Sequence, residues 1–229
     1  KLIIKFAFWF EGFIYKRAQL INVLTPAFRD KLIRVKNVPK EKVILIPNAA
    51  DFSLAEKIQK DSSFNALKFK KELGLENKFV ITYVGAHGVA NHLIQLIDAA
   101  EKLQNTNIVF QLIGSGMRKE FLQKEVIKRS LSNVIFRESV PKSEVFKYIL
   151  ASDVGTSVLK NVETFKTIYS NKTFDYMSCK KPILLVIDGV SRELIETAKC
   201  GVFAKPENPL SIANKSKEMS TLEKSDLNQ

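Results

Sequence analysis

Two short stretches hold the residues best placed to do chemistry. The first is Gly85–Ala86–His87–Gly88, which follows the apolar run "KFVITYV". Glycine lets main chain come close to a ligand, and amides at a following helix start can receive phosphate oxygens. Glycines at strand ends also form ordinary turns, so the pattern alone makes no assignment. The second stretch is "NKTFDYMSC", with Lys172 at a helix start, where the positive end of the dipole favours phosphate. Asp175 falls one turn later, on nearly the same face as Asn171 and Lys172. A cation for a diphosphate and a carboxylate for ribose hydroxyls would make a nucleotide grip. An acid near a helix start beside a solvent lysine gives the same spacing, and the segment does not choose between them.

Other candidates are weaker. Gly114–Ser115–Gly116 lacks the third glycine of a dinucleotide-binding pattern, and a tight turn accounts for it. His87 and His92 have no partners at metal-ligand spacing, so no metal is expected and both should face solvent or ligand. No Ser–His–Asp set can be assigned. Cys179 and Cys200 are the only cysteines and fall in or at the edge of predicted buried elements, as expected of reduced thiols in a cytosolic protein.

The elements that must position these residues alternate along the chain. The opening "KLIIKFAFWFEGFIYKRAQ" is aromatic and apolar but carries Lys5, Glu11, Lys16 and Arg17. A membrane span needs about 20 largely uncharged apolar residues, so this reads as a helix packed on another domain or lying on a bilayer surface. "LINVLT" and "KVILIPN" read as buried strands around a helix "PAFRDKLIRVKN", with Phe28, Leu32 and Val35 at helical spacing and Pro26 in the first turn. The apolar pattern then fades, and residues 49–66 read as an interdomain linker. From residue 67 strands and helices alternate: strands in "KFVITYV", "NIVFQLIG", "NVIF", "VGTSV", "PILLVI" and "GVFA", with helices between and a last helix opened by Asn208 and Pro209. Continuous apolar strands alternating with helices predict a parallel, doubly wound sheet covered on both faces.

The 229 residues are 45% hydrophobic and 26% charged, ordinary for a globular chain with a full core. The net charge of +12 calls for an acidic partner: phosphate-bearing substrate, anionic lipid or nucleic acid. The lysines are spread along the chain and no nucleic-acid-binding signature accompanies them, so nucleic acid is set aside. The chain begins at Lys1 and ends in "EKSDLNQ"; both ends read as cut.

From about Ala18 onward the order of elements and the wording of the motifs resemble the retaining glycosyltransferases of GT-B fold (group 1, family 4). "AQLINVLTPAFRDKL" and "VILIPNAAD" are similar to the end of that family's acceptor domain. "ITYVGAHGVANHLIQLIDAAEKL" is similar to its glycine loop and first donor-domain helix. "NVIFRESVPKSEVFKYILASDVGTSVL" and "NKTFDYMSCKKPILLVIDGVSRELIETAKCGVFAKPENP" resemble its donor-site segments. The branch it most resembles builds capsule, O-antigen, colanic acid or other exopolysaccharide, including the fucosamine transferases.

The resemblance implies a division into residues 1–48 (the end of a Rossmann-like acceptor domain), 49–66 (the linker) and 67–229 (the Rossmann-like donor domain). It implies transfer of a sugar, with retention, from a UDP- or GDP-sugar to a lipid-linked glycan acceptor. The expected place is the cytoplasmic face of a bacterial plasma membrane, with an anionic lipid surface as a further partner. No cofactor or metal is implied, and the chain by itself, lacking most of the acceptor wall, should be inactive. Position by position, the backbone near Val140 would meet the nucleobase and Asp175 the ribose. Asn171, Lys172 and Thr173 would face the diphosphate, and Gly85, His87 and Gly88 would lie over the phosphates. The family's paired glutamates fall at Thr167 and Asp175 here; Glu163 is the nearest upstream acid and the candidate catalytic residue. Asn91 and His87 stand near the place of a usual arginine and lysine. The alternatives are a nucleotide-sugar 2-epimerase of the same architecture and a non-enzymatic basic module that binds membranes.

Overall fold

The computed structural model describes residues 2–222; Lys1 and the polar run 223–229, the expected cut end, lie outside the described residues. The chain opens with α1 (Leu2–Arg17), β1 (Ile21–Val23), α2 (Pro26–Arg34) and β2 (Val43–Leu45). Thr25 caps α2, its hydroxyl oxygen accepting the Phe28 N–H at 3.1 Å, and Pro26 takes the first position, where a missing N–H costs nothing. β1 and β2 pair in parallel over a small core of Val23, Leu32, Val38 and Val43. Two sequence expectations fail here. Val35 lies beyond the last turn of α2 and is exposed, and in β2 only Val43 is buried, because this two-stranded sheet is covered on one face by α2. α1 is held by its polar groups: Glu11 accepts from Lys36 and Tyr15, and the Lys42 ammonium donates to the carbonyls of Lys16 and Ala18. No residue of α1 is buried, and Phe6, Trp9 and Phe13 form an aromatic ladder on its surface, tilted between the first two rings and stacked between the last two.

Within the segment read as a linker, residues Phe52–Lys60 form a helix, α3, capped by Asp51. Ala55 and Ile58 fall on one face, a periodicity too short to stand out in the sequence, and are buried in the main core. A further short helix, α4 (Ala66–Glu72), precedes the large sheet.

That sheet has six strands: β3 (Phe79–Val84), β4 (Ile108–Ile113), β5 (Val134–Arg137), β6 (Val154–Val158), β7 (Ile183–Val186) and β8 (Gly201–Phe203). Between them run α5 (Ile94–Glu101), α6 (Lys119–Lys128), α7 (Lys142–Ala151), α8 (Asn171–Ser178) and α9 (Val190–Ala198), and α10 (Pro209–Thr221) follows β8. All pairings are parallel and the spatial order is β5-β4-β3-β6-β7-β8. α5, α6 and α10 bury one face around Phe110, Leu96 and Ile212; α3, α7, α8 and α9 bury the other around Phe146, Ile149 and Ile195. The doubly wound parallel sheet expected from the apolar runs is therefore present. Its strand order reverses at β3 and β6, and in such sheets the crevice for ligands opens outside the carboxyl ends of those two strands.

Candidate functional site

The loop after β3 carries Gly85 to Gly88, and the loop after β4 carries Gly114 to Gly116. The two are packed main chain against main chain. A Cβ at Gly114 would lie 2.0 Å from the Gly85 carbonyl oxygen, and one at Gly116 would lie 2.7 Å from that of His87. Both glycines also hold positive φ, 145° and 151°. Amides of one loop bond carbonyls of the other: Gly85 to Ile113 at 3.0 Å, His87 to Ser115 at 2.8 Å and Arg118 to His87 at 2.9 Å. Gly114–Ser115–Gly116 is thus more than the local turn its sequence suggests. The helix expected straight after the first loop is delayed, since α5 begins only at Ile94.

His87 is fully buried, against the expectation of a histidine facing solvent or ligand. Its ring lies between Tyr83 and Phe136, at centroid distances of 6.1 and 6.0 Å, and neither ring nitrogen has a partner. Burial pushes its pKa down to about 4; Lys119 adds to the effect and Glu138 opposes it. His87 is therefore neutral at ordinary pH.

α8 meets the first loop at the switch point. Its start has no side-chain cap, and Thr173 N–H bonds the Ser170 carbonyl. The Lys172 chain crosses to the glycine loop, where a Cβ on Gly85 would lie 3.2 Å from its Cε. Its ammonium sits 3.2 Å from Ser170 Oγ and 5.2 Å from the Tyr83 ring centroid. Loss of hydration around that ammonium on burial lowers its pKa to about 8, with Asp175 partly opposing the shift. Asp175 is half-buried and pairs with Lys142 Nζ at 3.2 Å. Lys142 opens α7 two residues after Val140, so the pair brings the β5–α7 loop to α8. Val140 itself packs against the core.

One tyrosine that sequence reasoning passed over holds this arrangement. The Tyr176 hydroxyl accepts the Val84 N–H at 3.1 Å and donates to the Thr156 carbonyl at 3.0 Å, joining α8 to both switch-point strands. Its ring fills the space beside Gly155, where a Cβ would lie 2.3 Å from Cγ. The aromatic pattern of "TFDYM" does signal a buried face, though not this bridge.

The remaining expected residues are distributed differently. Asn171 is exposed and its Oδ1 accepts from Asn48 at 2.7 Å, a contact with the segment after β2. Thr173 is buried, with its hydroxyl shared with Ser157 at 2.8 Å, so only its backbone is at the helix start. Glu163 lies on a short 3-10 turn, strongly exposed, with its carboxylate on Lys166 at 2.6 Å; no contact ties it to Lys172 or Asp175. Thr167, on the same turn, accepts the Thr25 hydroxyl through its carbonyl at 2.6 Å. His92 is half-buried with φ 47°. Among the described residues no three His, Cys, Asp or Glu side chains gather as a metal site, and both cysteines are free.

A parallel doubly wound domain with a glycine loop and a lysine at its switch point defines an α/β class, and its solved counterparts are GT-B glycosyltransferases. The chain belongs to the family described as "Glycosyl transferases group 1", which it matches over residues 65–229. It is 29% identical over 116 residues to the putative colanic acid biosynthesis glycosyl transferase WcaI of Escherichia coli, a stretch covering 51% of this chain and 28% of that one. Among solved structures it resembles Anabaena HepE in complex with UDP and glucose, with a TM-score of 0.76 and 20% identity over 91% of this chain and 55% of that one. It also resembles WaaG, a glycosyltransferase involved in lipopolysaccharide biosynthesis, with a TM-score of 0.73 and 16% identity over 90% of this chain and 54% of that one. The chain thus spans about half the length of these solved relatives and little more than a quarter of WcaI.

The buried His87 generates a stability prediction. Its folded pKa of about 4 lies below the unfolded value of about 6.5, so between those values the unfolded chain binds more protons. Its neutral state therefore favours folding fully above about pH 6.5, and stability falls as pH drops toward 4, by up to about 3 kcal/mol. Urea denaturation of wild type and His87→Leu between pH 4 and 7 should show a steep acid loss in the first and a shallower one in the second. Parallel pH curves would contradict the assignment.

Proposed function

We propose that this chain supplies the donor-nucleotide site of a glycosyltransferase that moves a sugar from a nucleotide-sugar to a lipid-linked glycan, with retention, in cell-envelope polysaccharide synthesis. One observation carries the reading: Lys172 reaches from an uncapped helix start to the glycine loop at the switch point of the sheet. A diphosphate placed there would meet helix-start amides, loop amides and an ammonium together. As the bond between sugar and diphosphate breaks, negative charge grows on the departing phosphate oxygen, and these donors stabilise it without reorganising. Asp175, held by Lys142, is the acceptor for ribose hydroxyls, and the main chain near Val140 is the edge for the base. The relatives support this choice, since HepE was solved with UDP and glucose and WcaI carries a colanic-acid biosynthesis name. Glu163 would need to leave Lys166 to act on the sugar.

The reading extends to a membrane. Residues 1–45 hold ten lysines and arginines against three acids, beside the exposed aromatic ladder of α1. That combination fits docking on an anionic lipid surface. Among the described residues no helix is long and apolar enough to cross a membrane. In vesicle sedimentation the chain should partition onto anionic vesicles in preference to zwitterionic ones; equal partitioning would contradict docking by charge.

Calorimetric titration with UDP, GDP and their sugars tests the donor site. One nucleotide should bind, and Lys172→Ala should weaken it at least tenfold, about 1.4 kcal/mol; Asp175→Ala should weaken it for nucleotides but not for free diphosphate. Because Lys172 titrates at about 8, affinity should fall as pH rises through that value, and Lys172→Arg should abolish the fall. Binding indifferent to both residues would remove the proposed site.

A further inference from the structure

A second pocket lies beside the same glycine loop and involves none of α8. It has a volume of about 240 Å³ and is lined by Gly88, Val89 and His92 from the loop, Arg118 and Phe121 from the start of α6, and Lys160 two residues past β6. Pockets for drug-sized ligands measure about 300–1,000 Å³, so this space suits one group of a larger molecule. Its three basic side chains come from three separate segments, and no Asp or Glu lines it. Among the described residues no ion pair engages Arg118 or Lys160; two cations and a histidine brought together with no counter-charge describe a site for an anion.

The cations are placed, not loosely scattered. The Arg118 guanidinium stacks 4.0 Å from the Phe121 ring centroid, and its own amide donates to the His87 carbonyl. The Lys160 amide donates to the Ala90 carbonyl at 2.8 Å. Both residues are thus fixed by their main chain to the glycine loop. Arg118 is also the cap position of the ten-residue α6, whose start has no side-chain cap and adds the positive end of its dipole. A stacked guanidinium of this kind favours phosphate, which it can bind in two-pronged fashion. The margin is apolar: Met117, Val89 and Phe121 are 83%, 55% and 38% exposed. A phosphate in the pocket would carry any attached hydrocarbon chain over that margin.

We infer that this pocket holds the phosphate of a lipid-linked acceptor, separately from the diphosphate of the donor. The inference rests on the donor reading for its role in transfer, but the pocket is tested on its own. The 229-residue chain, saturated with whichever nucleotide it binds, is titrated with farnesyl pyrophosphate below its micellar concentration and, separately, with inorganic pyrophosphate. Farnesyl pyrophosphate should bind at least tenfold more tightly than inorganic pyrophosphate. The Arg118→Ala, Lys160→Ala double variant should lose at least tenfold of that affinity with nucleotide affinity changed less than twofold, and Lys160→Arg alone should keep most of it. Both side chains are exposed, and circular dichroism checks the fold. Unchanged farnesyl pyrophosphate binding in the alanine variant overturns the site, and equal affinities for the two probes overturn the lipid assignment. If no nucleotide binds while the alanine variant still loses farnesyl pyrophosphate, the donor reading fails and the pocket stands.

Discussion

The contact between the two glycine loops is the constraint from which the rest of the site follows. Main chain touches main chain where Gly114 and Gly116 meet Gly85 and His87, and no side chain of any size fits between them. Three hydrogen bonds lock the loops, each worth about 1 kcal/mol net and more if one buried partner were left unpaired. With the loops locked, Gly85 has one place relative to Lys172, and Arg118 has one place relative to Gly88. The buried, neutral ring of His87 packs beneath them between Tyr83 and Phe136. A backbone surface is being held rigid at the switch point of the sheet, where the fold itself leaves an opening.

Charge is arranged around that surface with unequal pairing. Most basic side chains on the helices have an acid close by, such as Lys70 with Asp153 and Lys147 with Glu144. Among the described residues Lys172 meets a serine hydroxyl and an aromatic face but makes no ion pair, and its lowered pKa of about 8 records the cost of holding a charge there. An arriving anion would relieve that cost, so binding and protonation of Lys172 are coupled. Tyr176 makes the coupling geometric as well, because it fixes α8 to both strands that border the opening.

The fold was largely legible because its signals are local. Apolar runs marked β3 to β8, Asn208 and Pro209 marked the start of α10, and Thr25 and Pro26 that of α2. α3 was hidden because its buried face is only Ala55 and Ile58 within a polar stretch. At the candidate site, Lys172 and Asp175 are nominated by helix spacing, which puts them one turn apart. The partnership of Gly85 with Gly114 spans a whole strand–helix–strand unit and leaves no periodic trace. The burial of His87 and the link from Asp175 to Lys142 are tertiary facts for the same reason. Glu163 is nominated by residue type and position, and the turn that carries it sets its carboxylate on Lys166, three residues away.

The central claim is that the locked loops and Lys172 together form a diphosphate cradle. A crystal structure of the chain with its nucleotide bound tests this most directly. The account predicts diphosphate oxygens within about 3.2 Å of Lys172 Nζ and of amides between Gly85 and Gly88, with the base beside Val140. A nucleotide seated elsewhere, or a diphosphate that leaves Lys172 on Ser170, would contradict it.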